Sequence, residues 1–269
     1  MTVAIAIAGV AGRMGRALVA AAARDPRIDI TGASERPGAH AVGLTVGALA
    51  AGGPQAVRVA DTVAGSATGA AVWIDFTAPA ASIAALAALP GCGVRAVVLG
   101  TTGFTAAEEA AIAAAATQLT IVRSGNFSLG VNLLAGLVRQ AARRLGPDWD
   151  IEILETHHRR KVDAPSGTAL LLGEAAAAGR GVVLAEVRVD GRSGHTGERP
   201  DGAIGFAVLR GGGVVGDHTV QFLSELETLT LSHHARDRSI FAAGALEAAV
   251  WAVDKPPGLY GMADVLGLS

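Results

Sequence analysis

The chain has 269 residues and a formal net charge of −2, with 51% hydrophobic and 17% charged residues, which suits one large or two moderate globular domains. Near-neutral charge and 4% aromatic residues argue against a nucleic-acid surface, a base-stacking platform or an acidic-membrane surface, so an anion site must be built locally. The single cysteine, Cys92, excludes an intrachain disulfide, and no apolar run reaches the length of a membrane span.

Val3 to Ala8 is almost wholly apolar, as a parallel strand buried on both faces requires. It has no basic leader and is interrupted by Gly9, so it reads as a strand and not a signal peptide, and a cytoplasmic protein is expected. Gly9-Val10-Ala11-Gly12-Arg13-Met14-Gly15 then leads into a helical pattern through Ala23. Strand, glycine turn and helix form the context of a dinucleotide fingerprint, in which glycines let the backbone approach a pyrophosphate at the helix N-terminus. The spacing here is G-x-x-G-x-x-G, with Ala11 at the commoner second glycine; a tight turn without a ligand is the plain alternative. A second strand, Ile28 to Ala33, ends at Ser34-Glu35-Arg36. Glu35 stands where an acid meets the adenosine ribose hydroxyls, and Arg36 could neutralise a 2′-phosphate, so NADH and NADPH are both admitted.

Further strands are expected at Val57–Val59, Ala71–Phe76, Val94–Leu99 and Thr120–Arg123, with helices from Ala80 to Leu89 and from 106 to about Thr117. Thr105 and Glu108 make a capping box for the second of these helices. Asp75-Phe76-Thr77 and Gly100-Thr101-Thr102 follow the carboxyl ends of strands, where open α/β sheets bind ligands. The β-α alternation predicts an α/β fold, a Rossmann-like doubly wound parallel sheet. Leu129 to Leu145 is a long amphipathic helix leaving that sheet. After it the pattern becomes strand-rich: 151–154, Val182–Leu184, Val187–Val189, Ala203–Leu209, Val214–Phe222 and Thr228–Leu231, with a hairpin turn expected at Gly211–Gly213. This is an inserted α+β domain with an open mixed sheet, whose flat outer face needs burial by another subunit. The loop 191–202 reads either as a flexible connection or as a reach across a subunit contact. His218 and the adjacent His233-His234 lie on strands without ligand spacing, so no metal site is expected. A last helix, Ser239 to about Val253, and the tail return to the first domain. The expected division is 1–127 with 237–269, and 128–236, with hinges near 126–129 and 235–238.

The chemistry concentrates at Glu155-Thr156-His157-His158-Arg159-Arg160-Lys161-Val162-Asp163-Ala164-Pro165-Ser166-Gly167-Thr168, read as a strand–loop–helix junction. Ser166 is a good N-cap, and the Gly167 and Thr168 amides at the helix start favour an anion such as a carboxylate. The histidines can exchange a proton near neutral pH. A solvated polar loop is the plain alternative. The run 155–169 resembles the signature of the 4-hydroxy-tetrahydrodipicolinate reductase (dihydrodipicolinate reductase) family. The stretches 9–15, 100–104, 126–134, 194–206 and 258–266 are similar too.

That resemblance implies NAD(P)H-dependent reduction of a cyclic dicarboxylate by a homotetramer, with a discontinuous nucleotide domain and an inserted substrate domain. It makes His157 the proton donor/acceptor and Lys161 a proton donor, with lysine charge and burial both favouring a neutral imidazole. It assigns His158, Gly167 and Thr168 to the substrate carboxylates. The cofactor contacts it implies are Gly9 to Met14, Glu35, Arg36, Gly100, Thr101, Thr102, Ser124, Gly125, Asn126 and Phe127. The competing readings are another nicotinamide reductase such as an amino-acid dehydrogenase, a non-catalytic dinucleotide-binding redox sensor, and a structural oligomer.

Overall fold

The apolar run Val3–Ala8 does form the first strand, β1. The computed structural model describes residues 2–268. The remaining strands are β2 Ile28–Ser34, β3 Val59–Ala60, β4 Val72–Asp75, β5 Ala96–Leu99, β6 Thr120–Arg123, β7 Asp150–His157, β8 Arg188–Asp190, β9 Ile204–Arg210, β10 Gly216–Leu223, β11 Thr228–Ala235 and β12 Gly258–Tyr260. Two compact units result: the described part of Met1–Ser128 with Ser239–Ser269, and Leu129–Arg238.

The first unit is a seven-stranded sheet ordered β12-β6-β5-β4-β1-β2-β3, and every pairing is parallel. Strands β4 and β5 are buried at every position, because helices cover both faces. One face packs Trp73, Val97 and Ile121 against Leu86 and Ile112 from the helices Pro79–Ala88 and Ala106–Ala115 and against Leu89 from the 3-10 turn Leu89–Cys92. Helices Arg13–Ala22 and Ser239–Ala252 pack together, and the latter runs across β1, β4, β5 and β6. Its buried side is mostly alanine and glycine, so it can approach the sheet closely. The Thr105–Glu108 capping box is present, with the Thr105 amide donating to Glu108 at 2.7 Å. Two edge elements differ from expectation. The Val57–Val59 strand is displaced to Val59–Ala60, leaving Arg58 a lone bridge to Thr45. Strand β12 carries no periodic signal in the sequence, being three residues that follow Pro256-Pro257, yet it pairs with β6 while Thr120 Oγ1 donates to Lys255 O and Pro256 O at 2.8 Å.

The second unit is a five-stranded mixed sheet, β11-β10-β7-β9-β8. Helices Leu129–Leu145 and Gly167–Arg180 cover one face and enclose Ile151, Ile153, Ile204, Phe206, Val220 and Phe222. Three expectations are corrected. Val182–Leu184 is not a strand: Gly181 takes a left-handed conformation and the Val182 amide donates to Ala177 O at 3.0 Å, closing the helix before a short Leu184–Val187 helix. Gly211–Gly213 is not a hairpin turn, because β7 lies between β9 and β10. The turn instead crosses the end of β7, with the Gly211 amide donating to His157 O at 2.9 Å and the His158 amide to Val214 O at 2.8 Å. A glycine cluster marks a turn but not which strands it joins. Finally, β7 runs on to His157 rather than stopping at 154, because β9 and β10 continue to pair with it where its residues become polar. Among the described residues no helix is long and apolar enough to cross a membrane.

Candidate active site

Side chains two apart on a strand share a face. On β7 the helix-covered face reads Ile151, Ile153, Glu155, His157, apolar at one end and ionisable at the other. The same face of β10 ends in His218, opposite Glu155, and β9 ends in Arg210, opposite His157. Ser166 caps the helix above and accepts from the Ala169 amide at 3.2 Å. Three strands and one helix start therefore place a polar cluster at one end of the core.

Glu155 is its centre. One carboxylate oxygen takes the Ser166 amide at 2.9 Å and Arg210 Nη2 at 2.9 Å. The other takes His157 Nδ1 at 2.5 Å and Arg210 Nη1 at 2.8 Å. Burial pushes the carboxyl up, but Arg210, His157 and the Ser166 amide together outweigh it and hold Glu155 below the ordinary range. Because the carboxylate accepts at Nδ1, the nitrogen of His157 left for proton exchange is Nε2. The His218 ring meets that of His157 edge-on, with centroids 5.1 Å apart at 75°, and its Nε2 lies 3.1 Å from Ser166 Oγ. Burial, then the neighbouring His157 and His233, push His218 down to about 4, with Glu155 and Asp217 pulling the other way.

A pH effect on stability follows. His218 is neutral in the fold but titrates near 6.5 when unfolded, so its contribution is complete above pH 6.5 and is lost as pH falls towards 4. The loss amounts to about 3 kcal/mol. Glu155, whose carboxyl is held below its unfolded value of 4.5, adds a further loss that begins as pH falls below 4.5 and is complete once the folded carboxylate protonates. Urea melts between pH 8 and 4 should show stability falling from pH 6.5 downwards, and His218→Asn should flatten the part above pH 4.

The remaining residues of the loop lie nearby in sequence but outside the buried cluster. Lys161 Nζ donates to both oxygens of Asp163 at 2.8 Å. The carboxylate bonded to His157 is that of Glu155. His158 has Arg238 Nη2 at 3.4 Å from its Nε2, while its Nδ1 is buried with no hydrogen-bond partner among the described residues. Burial, Arg160 and Arg238 lower its pKa. Gly167 and Thr168 begin the Ser166-capped helix, and a Cβ on Gly167 would meet nothing within 4 Å. Arg210, His218 and a role for Glu155 were missed in the sequence. A longer β7 would have aligned Glu155 with His157, but no local signal reaches Arg210 or His218.

In the first unit, Gly9 ends β1 at φ +62° and Gly12 precedes the helix without a side-chain cap, leaving its first amides to other partners. A Cβ on Gly15 would lie 2.4 Å from Gly9 O, and one on Gly12 3.1 Å from it. The glycines thus let the helix start close against the turn, as a pyrophosphate cradle needs. Glu35 reaches this turn and accepts from the Ala11 amide at 3.0 Å; exposed Arg36 follows it. Strand order β3-β2-β1-β4-β5-β6 changes direction between β1 and β4, the crevice where such sheets bind dinucleotides. There buried Asp75 accepts from the Thr77 amide at 2.9 Å and from Thr101 Oγ1 at 3.4 Å. A Cβ on Gly100 would lie 2.0 Å from the Phe76 ring, which meets Phe127 edge-on at 5.3 Å. Ser124 Oγ donates to Asn126 O at 2.7 Å and accepts from the Asn126 amide at 3.1 Å. Thr102 and Gly125 are exposed beside these groups. The residues present fit a dinucleotide.

A chain with this sheet order, this glycine turn and a carboxylate-held imidazole on an appended mixed sheet has the build of a two-domain nucleotide-dependent oxidoreductase. The family models "Dihydrodipicolinate reductase, N-terminus" and "Dihydrodipicolinate reductase, C-terminus" match residues 3–127 and 130–266. The chain belongs to the dihydrodipicolinate reductase family. It is 54% identical to the 4-hydroxy-tetrahydrodipicolinate reductase of Rhodopseudomonas palustris, over 98% of this chain and 97% of that one. It is likewise 54% identical to that of Caulobacter vibrioides, over 98% and 96%. A solved dipicolinate-bound dihydrodipicolinate reductase from Paenisporosarcina sp. has a TM-score of 0.74 and 25% identity over 97% of this chain and 98% of that one. An amine dehydrogenase from Mycobacterium smegmatis shares the fold, with a TM-score of 0.59 and 16% identity over 96% and 94%.

Proposed function

We propose that this chain catalyses the NAD(P)H-dependent reduction of 4-hydroxy-tetrahydrodipicolinate to tetrahydrodipicolinate, with loss of water, in lysine and diaminopimelate biosynthesis. The observation that carries this reading is the buried Glu155–His157 pair, 2.5 Å apart, beside a helix start and a cationic loop, in a member of this family. The hydride for the conjugated imine ring comes from the bound dihydronicotinamide. His157, oriented through Nδ1, exchanges the accompanying proton at Nε2, and Lys161 supplies an ammonium proton to the same substrate. His158 meets one substrate carboxylate, and the Gly167 amide with Thr168 holds the other. Gly9 to Met14 cradle the pyrophosphate. Glu35 takes the ribose hydroxyls of NADH and Arg36 the 2′-phosphate of NADPH. Gly100, Thr101, Thr102 and Ser124 to Phe127 line the nicotinamide half.

The test generates the substrate in place from pyruvate and aspartate semialdehyde with a partner synthase, and follows NADPH and NADH oxidation separately. Oxidation should require the synthase product and proceed with both cofactors. Folded, nucleotide-binding protein that oxidises neither would move the assignment to another reductase or to a sensor.

The same reading makes the protein a cytoplasmic homotetramer. Its support is the sheet face away from the helices, where Leu154 is 38% and Leu209 53% exposed. A groove there, about 440 Å³, is lined by Leu154, Ala207 and Leu223 with the charged Asp150, Glu152, Arg192 and Arg199 around them, and exposed leucines in such a setting are of the kind subunits cover. The loop 191–202 lies over that face, with Arg192 and Arg199 bonded to Glu152 at 3.0 and 2.9 Å. Light scattering should give a mass near four times the 26.8 kDa chain; a monomer at micromolar concentration would refute the assembly.

A further inference from the structure

Gly216 opens β10 on the same face as His218. Its backbone does not require glycine, since it is not among the residues at positive φ. Space does. A Cβ at 216 would lie 3.0 Å from His157 Nε2, 3.4 Å from His157 Cδ2 and 3.4 Å from His218 Cε1. The imidazole has little room to yield. Its Nδ1 is held 2.5 Å from Glu155, which Arg210 and the Ser166 amide clamp in turn. The His218 ring stands against it at 5.1 Å, itself tied to the helix cap through Ser166 Oγ at 3.1 Å. The nitrogen that a side chain at 216 would crowd is the one not used by Glu155.

We propose that Gly216 and His218 are positioning residues of the reaction: the missing side chain at 216 keeps Nε2 of His157 open to the substrate ring, and the buried His218 ring braces the imidazole in that direction. This rests on His157 being the proton-exchanging group. Two strands thereby share one task. β7 supplies the imidazole and the carboxylate that orients it, and β10 supplies the gap and the brace. The ionisable groups facing the ring are Glu155 on β7, His218 on β10 and, through Glu155, Arg210 on β9.

The test compares Gly216→Ala, Gly213→Ala, His218→Ala, His218→Phe and His157→Gln in the synthase-coupled assay across pH. A misplacement of the proton-exchanging atom by a fraction of an ångström should lower kcat about 10- to 100-fold in Gly216→Ala, with KM and dinucleotide affinity within about twofold and the pH limb of kcat displaced. Gly213→Ala, where a Cβ meets nothing within 4 Å, should match the unmodified protein. His218→Ala should also lose kcat and shift the limb, and His218→Phe, which keeps a ring, should recover most of the loss. Unchanged kcat and pH profile in Gly216→Ala would overturn the proposal while leaving the reductase reading intact. Full turnover in His157→Gln would instead remove the reading beneath it. Should Gly216→Ala fail to fold, the ¹⁵N spectrum of the unmodified protein decides: the neutral His157 ring should carry its proton on Nδ1, and a proton on Nε2 would overturn the proposal.

Discussion

Lys161→Ala should lose turnover by about two to four orders of magnitude while binding NADPH and NADH within about twofold of the unmodified protein. The reasoning is that Lys161 does almost nothing for the fold. Its ammonium is paired with Asp163, the two side chains being 20% and 56% exposed, and a partly exposed pair of this kind contributes about 0–1 kcal/mol. The Asp163 carboxyl is held below its usual range, chiefly by the lysine hydrogen bond. The first unit, which carries the glycine turn, contains none of these residues. A melt within about a degree of the unmodified protein, unchanged nucleotide titration and collapsed kcat would isolate the chemical role. Asp163→Asn removes the partner and keeps the ammonium, so it should retain most of the turnover. If Lys161→Ala turns over normally, Lys161 is no proton donor and the proposed mechanism fails at that step.

The first unit was legible in the sequence because parallel strands covered on both faces are continuous apolar runs. Val72–Asp75 and Ala96–Leu99 are buried throughout, and their signal is local. The glycine turn is equally local. Edge strands gave no such signal: β3 has two residues and β12 three. In the second unit the apolar run stopped at Leu154 while the strand continued to His157. Glu155 and His157 looked like loop because a site, and not the core, lies at that end. Their partners are set by pairing between distant strands: Arg210 is 55 residues from Glu155 and His218 is 52 from Ser166. Nothing local announces such contacts, and the bond from His157 to the carboxylate two residues back shows only once Glu155 is placed on the strand. For the same reason the turn at Gly211–Gly213 was assigned to a hairpin, although β7 runs between the strands it joins.

Glu155→Leu should destabilise the unit Leu129–Arg238 by about 3–5 kcal/mol, the cost of removing one partner from a buried ionic network. Glu155 is 1% exposed, and its two oxygens take four donors, two from Arg210 and one each from His157 and the Ser166 amide. Leucine would leave that guanidinium and two N–H groups facing an apolar side chain. The loss should be confined, because every member of the network belongs to the unit Leu129–Arg238. Hydrogen exchange should therefore quicken across β7, β9, β10 and the Gly167–Arg180 helix, and stay near its original rate in β1, β4 and β5. Glu155→Gln keeps one acceptor oxygen but points an amide NH₂ at donors, so it should fall between. Arg210→Met in the Glu155→Leu background removes the stranded charge and should recover part of the stability, a coupling that independent sites would not show. A Glu155→Leu protein that melts within 1 kcal/mol of the original would mean that the four donors find water instead, and that the cluster at the end of β7 is not the closed, dehydrated network drawn from its geometry.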